Sequence, residues 1–331
     1  MEKINWINLY TTDAAFNLAA EEYIFEKLPK DRTWFMLWQN DRAVIIGRYQ
    51  NTRAEINEEY LRANGIKPVR RLSGGGAVYH DLGNLNFTFI TDAGDSETLD
   101  MRLFCEPIAA ALEQMGVHAE INGRNDITID GKKFSGNAQY IKDGRTMHHG
   151  TIMFSSDLSV LGNALKADPA KLESKGIKSV RSRVTNVSEH VREDMSLEEF
   201  RALLIKYVAE EQGGEEYRLS EEDITAIEKL RDEKYALDEW NYGKSPKGIL
   251  RREEYIPGCG KLGAYMTVEH DRIASLEFRG DFFSKKDPSE LAEKFQGAIP
   301  DKAGITAVLG SVDIEEYFLG AKREDILRLL S

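Results

Sequence analysis

Apolar residues recur at helical spacing in several parts of the chain. The clearest case is residues 14–28, where the apolar positions follow Asp13, a residue type that caps helix N-termini. We expect this helix to pack its apolar side against a sheet. The same spacing predicts further helices near residues 56–63, 99–115, 197–210, 221–234, 289–295 and 323–330.

Short apolar runs and alternating patterns predict strands between these helices. Residues 34–38 and 43–47 are apolar runs separated by four polar residues, a pattern typical of a buried hairpin. A longer stretch alternates apolar and polar residues around Asp130-Gly131 and Asp143-Gly144, dipeptides that favour tight hairpin turns. We therefore expect antiparallel strands in this second region.

Turn-forming residues are concentrated between residues 241 and 248, where the apolar periodicity stops. Such a segment is typical of a linker between domains. A chain of 331 residues is also long enough for two domains. We therefore predict a larger domain over residues 1–243 and a smaller one over residues 249–331, the latter with two or three strands and two helices.

Composition excludes several classes of protein. A net charge of −12 argues against nonspecific binding to nucleic acid, which depends on basic residues that neutralise phosphates. No apolar run approaches the roughly 18 residues that a membrane helix needs. The first ten residues lack the apolar core of a signal peptide. We expect a cytoplasmic protein that binds proteins or small molecules and makes no membrane contact.

The two cysteines, Cys105 and Cys259, lie far apart in the sequence and outside any metal-binding spacing. This argues against a disulfide framework and against a zinc site. A nucleophilic cysteine needs an activating base, and neither cysteine has a histidine close to it in the sequence. We therefore expect neither cysteine to be catalytic.

The segment from residue 70 to residue 86 reads RRLSGGGAVYHDLGNLN and is the strongest candidate for a ligand site. Its three consecutive glycines are able to adopt positive φ and to direct backbone N–H groups at an anion. Two arginines precede them, and guanidinium groups pair with carboxylates and phosphates. No Gly-Lys-Ser or Gly-Lys-Thr follows, so the segment is not a Walker loop. Strand-like residues follow where a dinucleotide-binding fingerprint needs a helix.

Five segments, in order along the chain, resemble the motifs of the lipoate-protein ligase A family. The resemblance covers most of the chain before the predicted linker and extends more weakly to the end. The five segments are RRLSGGGAVYHDLGN (70–84), NGRND (122–126), KFSGNAQ (133–139), HHGT (148–151) and SVRSRVTN (179–186).

This resemblance implies an α+β fold, with a mostly antiparallel sheet flanked by helices, as in biotin and lipoate protein ligases and class II aminoacyl-tRNA synthetases. It also implies a small α+β C-terminal domain. The implied activity is ATP-dependent ligation, in which lipoate is activated to lipoyl-AMP with Mg²⁺ and the lipoyl group is then transferred to a lysine. The implied acceptors are lipoyl-domain proteins, namely the E2 subunits of 2-oxoacid dehydrogenases and the H protein of glycine cleavage.

The resemblance also assigns the candidate site. Lys133 matches the catalytic lysine that contacts the activated carbonyl and the α-phosphate, and Asp126 is the candidate magnesium ligand. Cations and N–H donors directed at developing charge are what adenylation requires. The ligand-binding residues implied are Arg71, Ser73, Gly74, Gly75, Gly76, Ala77, Val78, Tyr79, His80, Asn125, Asp126, Lys133, His149 and Thr151.

Strand geometry predicts which of these side chains lie together. Residues two apart share a face, so Ser135 and Asn137 are expected beside Lys133 at the ligand. By the same rule His149 lies with Thr151, and His148 lies on the opposite face. Phe134 stands where a small aliphatic residue is frequent in the family, which predicts a narrower acyl tunnel. A basic segment (Lys171, Lys175, Lys178, Arg181 and Arg183) is either a solvated surface or one that receives phosphates or an acidic acceptor domain.

Two other functions compete with ATP-dependent ligation. One is transfer of octanoyl or lipoyl groups between carrier proteins without ATP, for which related enzymes usually use a cysteine nucleophile. The positions of Cys105 and Cys259 argue against it. The other is a noncatalytic binder of acyl groups or adenylates. Retention of Lys133 beside intact glycines argues against that function.

Overall fold

A computed structural model describes residues 4–92, 100–123, 125–166, 183–192, 194–243 and 250–331. The strands are β1 (Ile4–Asn8), β2 (Thr33–Trp38), β3 (Ala43–Ile46), β4 (Lys67–Arg70), β5 (Val78–His80), β6 (Asn84–Asp92), β7 (Glu120–Asn122), β8 (Asp126–Ile129), β9 (Lys132–Lys142), β10 (Arg145–Met153), β11 (Leu250–Ile256), β12 (Gly260–Glu269) and β13 (Arg272–Gly280). The helices are α1 (Ala14–Lys27), α2 (Thr52–Glu55), α3 (Glu58–Ala63), α4 (Arg102–Gln114), α5 (Leu158–Ala164), α6 (Leu197–Val208), α7 (Glu221–Leu230), α8 (Asp238–Tyr242), α9 (Pro288–Lys294), α10 (Lys302–Leu309) and α11 (Arg323–Leu330).

Seven strands form the central sheet in the order β1-β2-β6-β10-β9-β8-β7. All neighbours are antiparallel except β1 and β2. Side chains alternate between the two faces of the sheet along β2, so each face has its own apolar core. Phe35 packs in the core that includes α4 and α6, and Trp34 packs in the core that includes α1. The predicted α+β class with a mostly antiparallel sheet is confirmed.

The predicted hairpin of residues 34–38 and 43–47 is wrong. The first run is β2, whose two edges are occupied by β1 and β6. The second run is β3, which pairs parallel with β4 and antiparallel with β5 in a separate three-stranded sheet. Arg42 takes positive φ (43°) in the connection, where the chain changes direction between the sheets. Both runs are buried, which is why their pattern could not reveal their partners.

Local signals predicted other elements correctly. Asp13 caps α1 by accepting a hydrogen bond from the amide of Ala15 at 3.0 Å. The turns at Asp130-Gly131 and Asp143-Gly144 join β8 to β9 and β9 to β10, with positive φ at both residues of each turn. Among the described residues, no helix is both long and apolar enough to cross a bilayer.

The small C-terminal domain consists of the antiparallel sheet β11-β12-β13 with α9, α10 and α11. It has its own apolar core, which includes Phe278, Phe295 and Phe318. Of the predicted linker, residues 241–248, Asn241 and Tyr242 instead end α8 and Gly243 follows the helix, and residues 244–248 lie outside the described residues.

The small domain is docked on the larger one beside the glycine-rich segment. Phe282 stacks on Tyr49, with ring centroids 5.0 Å apart. Its carbonyl accepts a hydrogen bond from the amide of Gly75 at 3.2 Å, and the amide of Gly280 donates to the carbonyl of Tyr49 at 3.0 Å. This contact brings the small domain to the edge of the candidate site.

Candidate active site

A cavity of about 290 Å³ lies between the central sheet, the glycine-rich segment and the small domain. Among the predicted site residues, those that line it are Arg71, Gly75, Gly76, Ala77, Val78, His80, Asn125, Asp126, Lys133, His149 and Thr151. Ser73 and Gly74 lie behind the wall, and the side chain of Tyr79 packs instead against the cluster that contains Val44 and Ile46.

Several lining residues were not predicted from the sequence. The larger domain adds Leu18, Trp38, Ile45, Asn86, Gly136, Ala138 and Gly150, and the small domain adds Tyr255, Gly260, Asp281 and Phe283. Asn137, which was expected at the ligand, also borders the cavity. The cavity therefore has two unlike ends. Its inner end is lined by Leu18, Trp38 and Ile45, with the polar side chains of His80 and Asn86 beside them, and its outer end holds Lys133 and Asp126.

Arg71 holds the glycine-rich segment in place. Its guanidinium donates to the carbonyls of Gly74 (2.7 Å), Gly76 (2.8 Å) and Ile45 (3.2 Å), and its Nε donates to the hydroxyl of Ser73 at 3.0 Å. Burial lowers the pKa of Arg71 to about 10, so the group stays cationic at neutral pH. Most of the hydrogen bonds of Arg71 are therefore made to the glycine-rich segment. Its contribution to ligand binding would be mainly electrostatic attraction by its positive charge.

Glycine is required where this segment crosses the β3 exit. A Cβ on Gly47 would lie 1.9 Å from the carbonyl oxygen of Gly75. Gly75 itself has φ of 89°, which favours glycine. This close approach leaves no room for a side chain at either position.

Arg70 ties the neighbouring loop to the end of the larger domain. Its guanidinium donates to the carbonyls of Gly47, Arg48 and Gln50 at 2.8–2.9 Å. It also donates to the carbonyl of Trp240 at 2.9 Å. Burial lowers its pKa to about 10, and its carbonyl partners compensate the buried charge. Arg70 is therefore a structural residue at the cavity's edge.

Lys133 and Asp126 form an ion pair at the outer end of the cavity, with 2.6 Å between Nζ and Oδ1. Both side chains are about one-third exposed. The backbone of Lys133 is fixed on its other edge, where its amide donates to the carbonyl of Arg183 and its carbonyl accepts from the amide of Thr185. The ammonium therefore borders the cavity and is also accessible to solvent.

Ser135 does not line the cavity, and Asn137 borders it while its side chain points to the opposite face from Lys133, so the expected alignment of the three side chains is wrong. A bulge interrupts the pairing of β8 with β9, because Thr128 pairs with Lys133 while Ile127 pairs with Ser135. One extra residue reverses the alternation. Lys133 Nζ therefore lies over Gly136, 2.8 Å from where a Cβ would be, and Asn137 donates to the Ser135 hydroxyl on the opposite face.

Phe134 does not narrow the cavity, contrary to the expectation from the sequence. It is fully buried in the core cluster beneath the sheet, together with Ile127 and Ile152, and it is absent from the cavity wall. Alternation from Lys133 already places Phe134 on the face away from the cavity, and the extra residue of the bulge leaves it there. The expectation of a narrower tunnel rested on the resemblance alone.

A buried polar chain runs behind the cavity wall. His149 Nδ1 lies 2.8 Å from the carboxylate of Glu21, and His149 Nε2 lies 2.6 Å from the hydroxyl of Ser73. Thr88 donates to the same carboxylate at 2.7 Å. Because Glu21 has nearly no exposure, these hydrogen bonds are what make its burial tolerable. No sequence pattern distinguishes Glu21 from the ordinary helical residues around it in α1.

His148 lies on the opposite face from His149, as predicted. Its ring stacks on Phe104 and Phe87, and it is completely buried. One finding was not expected, since His148 Nε2 lies 3.9 Å from Cys105 Sγ. Burial raises the pKa of the Cys105 thiol to about 12 and lowers the pKa of His148 well below its usual range. The pair is therefore neutral and lies outside the cavity wall.

The tautomer of His148 follows from its partners. Asn137 donates through its amide nitrogen to Asn125, so its Oδ1 accepts from His148 Nε2 at 3.1 Å. Gln139 Nε2, which also donates to the Asp100 carbonyl, lies 3.1 Å from Nδ1. The neutral ring satisfies both contacts, whereas a proton on Nδ1 would oppose the amide of Gln139.

Acidification is therefore expected to destabilise the fold through His148 and His80. Burial lowers the pKa of His80 from 6.5 to about 3, so below 6.5 the unfolded chain binds protons that the folded chain does not. Stability should fall as the pH drops from 6.5 towards 3, by up to about 1.4 kcal/mol per pH unit for each histidine. Urea unfolding of the parent and of a His148→Gln variant at pH 8, 6 and 5 measures this.

The His148→Gln variant should lose less stability on acidification than the parent, whatever its stability at pH 8. A His118→Gln variant is the control for replacing a histidine at an exposed position. An equal pH dependence for the parent and His148→Gln would contradict the assignment.

Among the described residues, no cluster of three or more His, Cys, Asp or Glu side chains forms a metal site. Asp126 offers one carboxylate, which fits magnesium only as an ion carried on phosphates, the usual way this metal binds nucleotide enzymes. Of the basic segment, only Arg183 lies within the described residues.

Comparison with known proteins gives consistent matches along the whole chain. A family model described as the lipoyl protein ligase A/B catalytic domain matches residues 13–209, and one described as the bacterial lipoate protein ligase C-terminus matches residues 245–330. Lipoate–protein ligase 1 of Staphylococcus aureus is 42% identical over 320 residues, 97% of each chain. Lipoate-protein ligase LplJ of Bacillus subtilis is 44% identical over 327 residues, 98% of each chain.

Two solved structures extend the comparison to the fold. Plasmodium falciparum LipL1, in complex with lipoate, superposes with a TM-score of 0.78 at 23% identity, covering 98% of this chain and 97% of its own. A lipoate-protein ligase A bound with ATP gives a TM-score of 0.62 at 30% identity, covering 73% of this chain and 99% of its own. The first of these matches the arrangement of both domains.

Proposed function

The chain belongs to the lipoate-protein ligase family, and on this premise we propose that it activates lipoate with ATP to lipoyl-AMP and transfers the lipoyl group to a lysine of a lipoyl-domain protein. The observation that carries the proposal is the position of Lys133. Its ammonium lies at the outer end of a cavity whose inner end is lined mainly by apolar side chains. An acyl chain bound in this cavity would present its carboxylate to that ammonium.

Activation joins two anions, so it needs positive charge and N–H donors where the carboxylate meets the α-phosphate. We assign this role to the Lys133 ammonium, with the charge of Arg71 and the amides of the glycine-rich segment. Asp126 would hold magnesium, which neutralises phosphate charge when bound. It also restrains Lys133, because the two side chains are ion-paired.

In the transfer step, the acceptor lysine must arrive deprotonated and attack the acyl carbonyl, although its ordinary pKa is near 10.4. We assign Lys133 the same stabilising role in this step. Its partial exposure suits it, because the acceptor has to reach the carbonyl from solvent at the outer end. The inner wall fixes the acyl chain meanwhile and excludes water from the anhydride.

The remaining assignments are part of the same proposal. The larger domain, residues 1–243, would carry the lipoate and nucleotide sites, and residues 249–331 would form the accessory domain. The acceptors would be E2 subunits of 2-oxoacid dehydrogenases and the H protein of glycine cleavage, in the cytoplasm. The ligands at the predicted residues would be ATP, lipoate and Mg²⁺.

One assay tests the proposal as a whole. Purified protein is incubated with ATP, Mg²⁺, lipoate and an apo lipoyl domain, and the acceptor is weighed by mass spectrometry. The lipoyl mass should appear only when ATP is present, with release of pyrophosphate and AMP. Transfer without ATP from an acylated carrier protein would favour the competing acyltransferase instead.

Replacing both cysteines should leave ligation within about twofold of the parent rate, because neither thiol belongs to the cavity wall. The variant Cys105→Ser, Cys259→Ser is compared with the parent in the mass assay. Its melting temperature is the control, since both side chains are buried. A folded double variant without ligase activity would show that a thiol takes part in the reaction and would favour the competing acyltransferase.

A further inference from the structure

The inner wall of the cavity contains two unpaired nitrogens. His80 and Asn86 both line the cavity and are 2% and 1% exposed. Among the described residues, His80 Nε2 and Asn86 Nδ2 have no hydrogen-bond partner. Buried polar atoms are rarely left unpaired, and the neighbouring Glu21, Thr88 and His149 are paired. Asn17 Oδ1 and Asn84 Oδ1 are unpaired as well, but neither residue lines the cavity. These two atoms therefore need an explanation.

Both nitrogens are donors. Asn17 donates to Oδ1 of Asn40 at 2.9 Å, so the Asn40 amide nitrogen donates to His80 Nδ1 at 3.1 Å. A neutral imidazole that accepts at Nδ1 carries its proton on Nε2. Asn84 donates to Oδ1 of Asn86 at 2.9 Å, which leaves the N–H groups of Asn86 free. The wall thus presents donors with no acceptor.

The two donors flank the same side chain. Trp38 on β2 pairs in register with Asn86 on β6, so their side chains lie side by side on one face of the sheet. The ring of His80 stands edge-on to Trp38, with centroids 6.2 Å apart. All three line the cavity. Asn86 pairs in register with Thr151 on β10, whose hydroxyl accepts from the amide of Gly136 beneath the Lys133 ammonium, so Asn86 and Trp38 lie two and three strands away from that ammonium. Burial keeps His80 neutral, because it lowers the pKa to about 3.

We propose that His80 Nε2 and Asn86 Nδ2 determine specificity for acyl groups with acceptor atoms at their distal end, namely the two sulfurs of the dithiolane ring. This inference rests on the proposed function. With the carboxylate at Lys133, the far end of the acid reaches these donors. Divalent sulfur is a weak hydrogen-bond acceptor, whereas a straight alkyl end would leave both donors unpaired in a dry site.

A pair of ligands of equal shape tests this directly. In 5-cyclopentylpentanoate, methylene groups replace both sulfurs of lipoate and the ring is retained. Calorimetric titration of the full-length protein without ATP should give lipoate an affinity about tenfold higher. Octanoate, which has neither ring nor sulfur, should bind no better than the cyclopentyl acid. Equal affinities for lipoate and the cyclopentyl acid would overturn the proposal.

Two substitutions at His80 separate its donor from its acceptor. His80→Asn keeps an acceptor near the position of Nδ1 for Asn40 but removes the donor at Nε2. The ratio of the affinity for lipoate to that for the cyclopentyl acid should therefore fall to near one. His80→Gln is the matched control, because its amide nitrogen replaces Nε2, and it should keep most of the ratio. A parental ratio in folded His80→Asn would count against the assignment.

The calorimetric test is independent of adenylation. A protein that binds lipoate more tightly than the cyclopentyl acid, yet releases no pyrophosphate, would uphold the specificity determinant and overturn the proposed function. A protein that binds lipoate and the cyclopentyl acid with equal affinity, and releases pyrophosphate at equal rates with both, would uphold the proposed activation and overturn the specificity determinant.

Discussion

Replacing Lys133 with alanine should reduce lipoate-dependent pyrophosphate release by at least a hundredfold. The ammonium lies at the outer end of the cavity and within 2.6 Å of Asp126, so its loss removes the stabilising cation and leaves a carboxylate facing the nucleotide. Loss of one preorganised donor at developing charge typically costs a hundredfold to a thousandfold in rate. The measurement is steady-state pyrophosphate release at saturating ATP and lipoate.

The same variant should transfer lipoyl from supplied lipoyl-AMP about a hundredfold more slowly, since Lys133 is assigned to both steps. Lys132→Ala is the matched control, because Lys132 is the exposed neighbour on β9 and does not line the cavity. Transfer at the parental rate by Lys133→Ala would limit the role of Lys133 to activation.

A protein that ends at Tyr242 should bind and transfer supplied lipoyl-AMP but form almost none from ATP and lipoate. Truncation removes Tyr255, Gly260, Asp281 and Phe283 from the cavity wall. The cavity would then open to solvent at the glycine-rich segment, where water would reach the anhydride and the phosphates. Pyrophosphate release and transfer from lipoyl-AMP are measured separately on the truncated chain.

Stability has to be distinguished from catalysis in this experiment. The small domain covers Tyr49 and Gly75, so its removal exposes apolar surface and lowers the melting temperature. Full-length Phe283→Ala is the control, since it removes a lining side chain and retains the domain; we expect it to slow activation more than transfer. Normal adenylation by a folded truncated chain would refute this role of the small domain.

The sequence predicted what local chemistry determines. Asp130-Gly131 and Asp143-Gly144 form hairpin turns because their positive φ is a property of the dipeptides themselves. The opposite faces of His148 and His149 follow from simple alternation, since β10 is regular at that point. Arg71, Gly75 and Lys133 reach one cavity in the structure, as the motifs predicted.

The prediction failed where distant contacts decide. Glu21 and Glu22 are adjacent on α1 and look alike in the sequence, yet Glu21 is buried beside His149 while Glu22 pairs with Lys234 on the other side of the helix. No local pattern distinguishes them. The bulge at Phe134 likewise depends on how β8 and β9 pair. Its one extra residue places the side chains of Ser135 and Asn137 on the face opposite Lys133.

The hydrogen bonds from Arg70 to backbone carbonyls limit how far the linker lets the small domain move from the larger one. Because Arg70 holds Trp240 beside the loop that contains Gly47, the larger domain ends in a fixed position at the cavity's edge. Only residues 244–249 separate Gly243 from Leu250, and such a length spans at most about 25 Å. A small domain released from Gly75 therefore remains at an effective concentration of about millimolar. If the small domain were supplied as a separate chain, its concentration would have to approach millimolar to occupy the cavity's edge as fully as it does when covalently linked.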